Sequence, residues 1–454
     1  MALDIKGKRN IDMTKGDPYR LLISFALPLL LGDLFQQLYN MTDTWVIGNF
    51  ATNDEYAAVG SCFHILLLII KSFIGLASGA GIIIARKFGA GDKEGVRKGS
   101  CTAVVIALVC CVIFTVLGRV IGPLSLKIAN VPEAVYGHAK AYLDIIFSLV
   151  SAQVIYNMGA GILRAVGDSR KPFIFLVIAS LINVVLDLYF VVVLHKGIRG
   201  VAWATAIAQC VAAVLTVIEL LKTNTDVRIE KDRFEFDPAL CKDMIKLGIP
   251  TAIQTAITAF SNVFIQSYIN NLGVNFMSGY ATYVKCEQFL FMAATSMGIA
   301  SMTYVSQNVG AGDLERARAG VKASNVILFV YTGILGALMI GFAPQIAGFF
   351  NSNPEVVDHA VFALRLNTTV FMVQGLTQVY MGAIRGCGDT KTPLFLQISF
   401  NILFRQAGLF IVTNFIALTR LSVLCVQPVS WIILFIAITI AYRRCLIGKK
   451  PKER

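Results

Sequence analysis

The sequence predicts an all-α integral membrane protein. Twelve transmembrane helices are expected in two parallel six-helix bundles, related by a pseudo-two-fold axis along the membrane normal. Three observations carry this expectation. Of the 454 residues 56% are apolar and 15% charged, against roughly 25% charged in ordinary soluble proteins, and mean hydropathy is +0.70. Apolar runs long enough to cross a bilayer, about 20 residues, occur twelve times. Two polar loops recur at one shared offset. A disordered chain, a fibre and a secreted disulfide scaffold are excluded by the same composition.

The first twenty residues, MALDIKGKRNIDMTKGDPYR, are polar. They lack the short apolar core and small-residue cleavage site of a signal peptide, so the first apolar run is expected to stay as a span. The twelve runs cover roughly 20–47, 56–85, 101–121, 137–163, 172–194, 200–221, 243–271, 279–306, 322–343, 359–384, 393–417 and 420–446. They are continuous rather than alternating, which predicts helices and not a barrel.

Lys and Arg set the orientation. With both termini inside, the inner segments hold 30 of these residues and the outer ones 7, leaving Lys71, Lys285 and Arg405 within spans. Both termini are therefore expected in the cytoplasm. The formal charge of +13 reads as this inside bias. No basic segment with interleaved aromatics stands outside the apolar runs, so nucleic acid is not an expected partner.

The chain repeats itself at an offset of 221. FGAGDKEGVRKG at 88–99 matches VGAGDLERARAG at 309–320, and GILRAVGDSRKPF at 161–173 matches GAIRGCGDTKTPL at 382–394. Six spans per half return the chain to the same side, so the halves run parallel and should enclose a cavity near the midplane. The expected domains are 1–221, a charged cytoplasmic linker at 222–242, and 243–454 with its cytoplasmic tail. The glycine-rich loops join hydrophobic spans and lack GxxxxGK[ST], so they read as tight turns rather than phosphate cradles. No nucleotide is expected. The ten cysteines lack a CxxC spacing and the four histidines lie far apart, so no metal centre is expected.

Polar residues inside spans carry the functional reading, because they are costly there unless paired, solvated or neutralised. In the first span Asp33, Gln36, Gln37, Asn40, Asp43 and Thr44 fall within an arc of about 120°. Interhelical hydrogen bonding would account for the amides but does not need two carboxylates, so this face is expected to wall a cavity. Pro28 upstream should weaken or bend the helix. In the fifth span Asn183 and Asp187 share one face at i, i+4. No Lys or Arg lies near in that span, so Asp187 needs a partner from another helix, a cation or a proton. By pattern alone Thr205 is an ordinary packing residue. Gln254, Thr258, Asn262 and Gln266 form a polar stripe in the seventh span, and Glu287 in the eighth could meet a cationic substrate while Lys285 points to another face. Asn401 and Arg405 repeat the i, i+4 spacing, at an offset of 218.

Taken together, the two six-span halves, the twice-repeated GAGD…R loop and the twice-repeated RxxGD[ST] loop resemble the multidrug and toxic compound extrusion (MATE) family over essentially the whole chain. LPLLLGDLFQQLYNMTDTWVIG at 27–48 is similar to the family's first helix, with Pro28 as its bend-associated proline; INVVLDLYF at 182–190 and GVAWATAIA at 200–208 are similar to its fifth and sixth. The resemblance implies a cation-coupling cluster of Asp43, Asn183, Asp187 and Thr205. The glutamate that some branches carry on helix 7 is missing from 248–271, which fits the bacterial multidrug exporters that keep their acids in the N-terminal half.

The expected function is secondary antiport. Amphiphilic, mostly cationic drugs would leave in exchange for H+ or Na+ by alternating access, with Na+, if used, at Asp43, Asn183 and Asp187. The substrate cavity would include Asp33, Gln36, Gln37, Asn40, Gln254, Thr258, Asn262 and Glu287. The alternative is a flippase of lipid-linked saccharides from the same superfamily, which would need basic residues lining the cavity to meet pyrophosphate. No nucleophile–base constellation marks an enzyme. The expected partners are small lipophilic cations and membrane lipids. No cofactor beyond the coupling ion is expected, and the protein should act as a monomer in the bacterial cytoplasmic membrane.

Overall fold

The computed structural model describes residues 11–128, 131–416 and 419–447, with side chains throughout except at His64, Leu68, Lys231, residues 258–264 and Ile447. Among the described residues every regular element is helical. The first half contains α1 (Pro18–Phe50), α2 (Asn53–Gly89), α3 (Lys93–Ile128), α4 (Glu133–Ser148), α5 (Val150–Ala165), α6 (Arg170–Asp187) and α7 (Gly197–Lys222). The second contains α8 (Pro238–Asn270), α9 (Val274–Gly310), α10 (Leu314–Gly341), α11 (Ala343–Phe350), α12 (Pro354–Gly386), α13 (Lys391–Gln397), α14 (Arg405–Ile411) and α15 (Arg420–Tyr442).

This is an integral membrane protein of transmembrane helices. Ten described stretches are long and apolar enough to span, and α4 with α5, bent by 48° about Leu149, supplies an eleventh. The seventh expected run lies in α8, a continuous helix of 33 residues. Three spans are not purely α. A π-helical turn at Leu188–Val193 extends α6, one at Ile398–Phe404 joins α13 to α14, one at Val412–Ile416 extends α14 to complete the stretch Lys391–Ile416, and one at Arg443–Ile447 extends α15. The short α11 was not expected as a separate element.

The chain forms two compact units. One gathers Leu27–Ala252 with residues 11–12, and the other gathers Met13–Ala26 with the chain from Ile253 onward. These divisions differ from boundaries at 221 and 243. Two of the three, at 26/27 and 252/253, fall inside a helix and near a proline, Pro28 in α1 and Pro250 in α8. Each proline removes one backbone hydrogen bond, yet α1 and α8 continue through them. The linker sits with the first unit because its backbone is bonded there. Ile229 N–H donates to Leu220 O (2.9 Å), Asp237 N–H to the Thr102 hydroxyl (3.1 Å), and Arg97 donates to Arg233 O (2.8 Å). Lys98 pairs with Glu235 at 2.9 Å.

The sequence repeat is repeated in local structure. In the GD turns, Gly91 and Gly312 have φ of +72° and +79°, the left-handed region that ends a helix without a Cβ penalty. The next residue then caps the following helix. Asp92 Oδ1 accepts from Gly95 N–H at 2.8 Å, and Asp313 Oδ1 from Arg316 N–H at 2.8 Å. The second pair of loops does the same: Gly167 and Gly388 stand at +86° and +83°, Asp168 accepts from Lys171 N–H at 3.1 Å and Asp389 from Thr392 N–H at 2.9 Å. Close helix crossings are duplicated as well. Gly161 on α5 meets Ala77 on α2, and Gly382 on α12 meets Gly298 on α9, each pair again 221 residues apart.

The caps give a testable pH dependence. The Lys87 ammonium at 2.9 Å and the Gly95 N–H hold the Asp92 carboxyl below its ordinary range. A depressed carboxyl stabilises the fold above its unfolded value, near pH 4, and that contribution is lost as pH falls through the lower folded value. Asp92→Ala is expected to lower thermal stability at pH 7 by about 1 kcal/mol, the usual cost of a lost cap. Thermal unfolding in detergent should show the gap between variant and wild type narrowing toward pH 3. A gap of constant size would remove the charged cap as its cause.

Candidate functional site

Two polar clusters lie within the membrane-spanning helices, one in each unit. The first is assembled where α1, α6 and α7 meet. Asn183 and Asp187 lie one turn apart on α6, both fully buried. Asp187 is the last residue before the π turn at Leu188–Val193, a local widening that clusters at functional sites in helices. The chain then reverses at His195, with φ of +51°, and α7 returns alongside. Gly200 allows this return, since a Cβ there would stand 3.0 Å from Phe190. Thr205 is thereby brought to Asn183, whose Nδ2 donates to the Thr205 hydroxyl at 3.4 Å. From α1, Asp43 is brought beside Asp187 and Thr205. Tyr39 and Tyr142 also lie near the pair.

The inventory of donors and acceptors defines the chemistry. Asp43 Oδ1, Asn183 Oδ1 and both carboxylate oxygens of Asp187 are buried and receive no hydrogen bond. Among the described residues no Lys, Arg or His forms an ion pair with either aspartate. Two neighbouring carboxylates can be joined only through a proton or a cation, and buried oxygens left without donors call for one or the other. This acceptor-rich pocket, with one hydroxyl and one amide beside it, suits H+ or a small hard cation.

The rest of the polar face of α1 is not gathered into this pocket. Asp33 lies ten residues earlier, about 15 Å along the helix, and faces Tyr156 and Arg164 on α5. Gln36 and Gln37 are half-buried and Asn40 is exposed. Thr44 turns its hydroxyl back to Asn40 O at 2.9 Å.

The second cluster belongs to the other unit. Glu287 on α9 accepts from the Tyr283 hydroxyl at 2.6 Å and from Gln427 Nε2 on α15 at 3.5 Å. The Gln427 carbonyl oxygen accepts from the guanidinium of Arg405 on α14 at 2.8 Å. Lys285 points elsewhere, over the Phe350 ring at 5.6 Å. Asn401 is buried in the π turn that precedes Arg405. Gln254 is buried, with Nε2 3.4 Å from the Met381 sulfur. The side chains of Thr258 and Asn262 lie outside the described residues. Gln427, Tyr283, Tyr39 and Tyr142 were not anticipated. A lone Gln in an apolar run and tyrosines in apolar spans give little signal of their own.

Comparison with known proteins follows the same outline. The MatE family model matches residues 28–189 and 250–408. The chain is 25% identical over 392 residues to Probable multidrug resistance protein YoeA of Bacillus subtilis (strain 168), covering 85% of each chain. It is 25% identical over 394 residues to Probable multidrug resistance protein YpnP of the same organism, covering 86% of this chain and 88% of that one. A solved outward-facing conformation of a multidrug resistance MATE family transporter superposes with a TM-score of 0.91 at 23% identity, covering 99% of this chain and 100% of the other.

Proposed function

Because the chain belongs to the MatE family, we propose that it is a secondary multidrug antiporter, exporting amphiphilic, mostly cationic compounds in exchange for H+ or Na+. The observation that carries this reading is the pairing of Asp43 with Asp187 beside Asn183 and Thr205, with four acceptor oxygens lacking donors. With both carboxylates ionised and unoccupied the pocket is repulsive, so it takes up a proton or Na+ readily. Occupation removes negative charge and joins α1 to α6 and α7. An ion that binds one state of the protein more tightly shifts the population toward that state by its differential affinity, and no further. Alternating exposure of the pocket would then tie ion entry to drug exit. The protein would lie in the bacterial cytoplasmic membrane as a monomer, both termini inside, and need no nucleotide or cofactor.

The flippase alternative gains no support. Of the three in-span bases, Lys71, Lys285 and Arg405, Lys285 lies over Phe350, and Arg405 is a single guanidinium bonded to Gln427, short of the cluster of bases that a pyrophosphate needs. The test is transport of a fluorescent lipophilic cation in proteoliposomes, with pH and sodium gradients imposed separately. Movement against the drug gradient under one of them, reversed when that gradient is reversed, is the expected result. No movement under either would overturn the antiport reading.

A further inference from the structure

We propose that the second cluster is a proton-gated anion site, in which Arg405 takes a halide or a single carboxylate when Glu287 is protonated. The inference stands apart from the antiport reading, since it uses none of the residues of the first cluster.

The argument begins with charge. Arg405 is 7% exposed and its guanidinium does not lose its proton in proteins. Among the described residues it forms no direct ion pair and donates to the amide oxygen of Gln427. Gln427 therefore stands between two charges, amide nitrogen toward Glu287 and amide oxygen toward Arg405. Only that orientation satisfies both ends, because a carboxylate accepts and a guanidinium donates. The chain Glu287–Gln427–Arg405 is neutral overall while Glu287 is ionised. A proton on Glu287 leaves it with one uncompensated positive charge, and it also removes the reason for Gln427 to keep its nitrogen toward Glu287.

The geometry supplies a place for the compensating ion. A cavity of about 10 Å³ opens beside Arg405, Gln427 and Tyr280, otherwise walled by apolar side chains such as Ile265, Ile269 and Leu409. That is room for one water-sized atom. A positive group in an apolar wall selects an anion, and the small volume selects a halide or one carboxylate oxygen.

The groups that face Glu287 are few. Tyr280 and Tyr283 come from its own helix, and Arg405 from α14. His359 on α12 stands at Phe276, eleven residues away along α9, and Lys285 is taken by Phe350 on α11. Among the described residues, Arg405 is the charged group that acts on Glu287.

The experiment uses the full chain in detergent and reads the thermal unfolding midpoint with sodium chloride, sodium formate or sodium gluconate at equal ionic strength. In the wild type, chloride is expected to raise the midpoint over gluconate by about 2 °C at pH 5.5 and to leave it unchanged at pH 8.5. Glu287→Gln, which fixes the neutral form, should respond to chloride at both pH values. Arg405→Gln should respond at neither. If Arg405→Gln does not fold, the wild type and Glu287→Gln still decide the matter. Formate matching chloride assigns the carboxylate of a transported compound as ligand; chloride alone assigns the halide. A wild type indifferent to both anions at pH 5.5, or equally responsive at both pH values, overturns the proposal. Asp187→Asn should keep the full chloride response whatever happens to its transport, so failure here and failure of the antiport reading give different results.

Discussion

Asp187→Asn is expected to reduce drug export to background, a loss of roughly 100-fold or more, because without a differentially bound ion nothing drives the cycle. Expression and membrane insertion should stay normal. The substitution keeps volume and shape at a site that is completely buried. What it removes is a group that can hold a proton or balance a cation. The new amide can donate to Asp43, which today lies within reach of another acceptor. Thermal stability should therefore hold or rise, since one of two facing buried carboxylates is gone. That split separates coupling from architecture. A carboxylate kept only for hydrogen bonding would be replaced by Asn at little cost to export. The measurement is drug uptake into inverted vesicles, with protein level and unfolding midpoint followed in parallel. Export at wild-type rate would remove Asp187 from the coupling role, and loss of both export and folded protein would make it a structural residue.

How much of this could be read from the sequence depends on how local the physics is. The GD turns were legible as tight turns because a left-handed glycine followed by a capping aspartate is chemistry within four residues. The spans were legible because the apolar length needed to cross a bilayer is a property of the run itself. The bend at Leu149 was not, since no Pro or Gly marks it, and α11 is too short to stand out from neighbouring apolar sequence. The π turns are invisible to a search with a 3.6-residue period. Nor could loop length reveal that the linker is bonded onto α3.

In the site, Asn183 and Asp187 follow from spacing alone, whereas Thr205 rests on family resemblance until α7 is seen folded back onto α6. Asp33 was grouped with Asp43 because an angular projection discards distance along the helix. Their side chains share a direction but serve different neighbours. Gln427 was missed for a related reason. Its importance comes from standing between Glu287 and Arg405, three residues on three separate helices.

The largest expected effect on folding is at Gly382. A Cβ there would sit 2.1 Å from the carbonyl oxygen of Gly298 and 3.0 Å from its carbon. Both are backbone atoms of α9, so no rotamer change can relieve the contact; α9 and α12 must move apart. The cost spreads along the seam, because Gly386 meets Met302 O and Gly279 meets Val356 O with comparably short allowances of 2.7 and 2.8 Å. Ser301 and Ser306, which donate across the same seam to Val379 O and Gly386 O at 3.3 and 3.4 Å, would lose those bonds. Small residues let helices approach closely enough in a membrane for dispersion and such bonds to hold them. Gly382→Ala is thus expected to destabilise by about 3 kcal/mol, at the upper end for overpacking. The repeat provides an internal control. At Gly161, the residue 221 positions earlier, a Cβ would stand 3.1 Å from Ala77 O, a contact a shift of a few tenths of an ångström relieves. Gly161→Ala should cost no more than about 1 kcal/mol. Denaturant titration of the two variants in detergent micelles, monitored by intrinsic fluorescence, compares them directly. Equal stability for the two would mean that the α9–α12 crossing is looser than its glycines require.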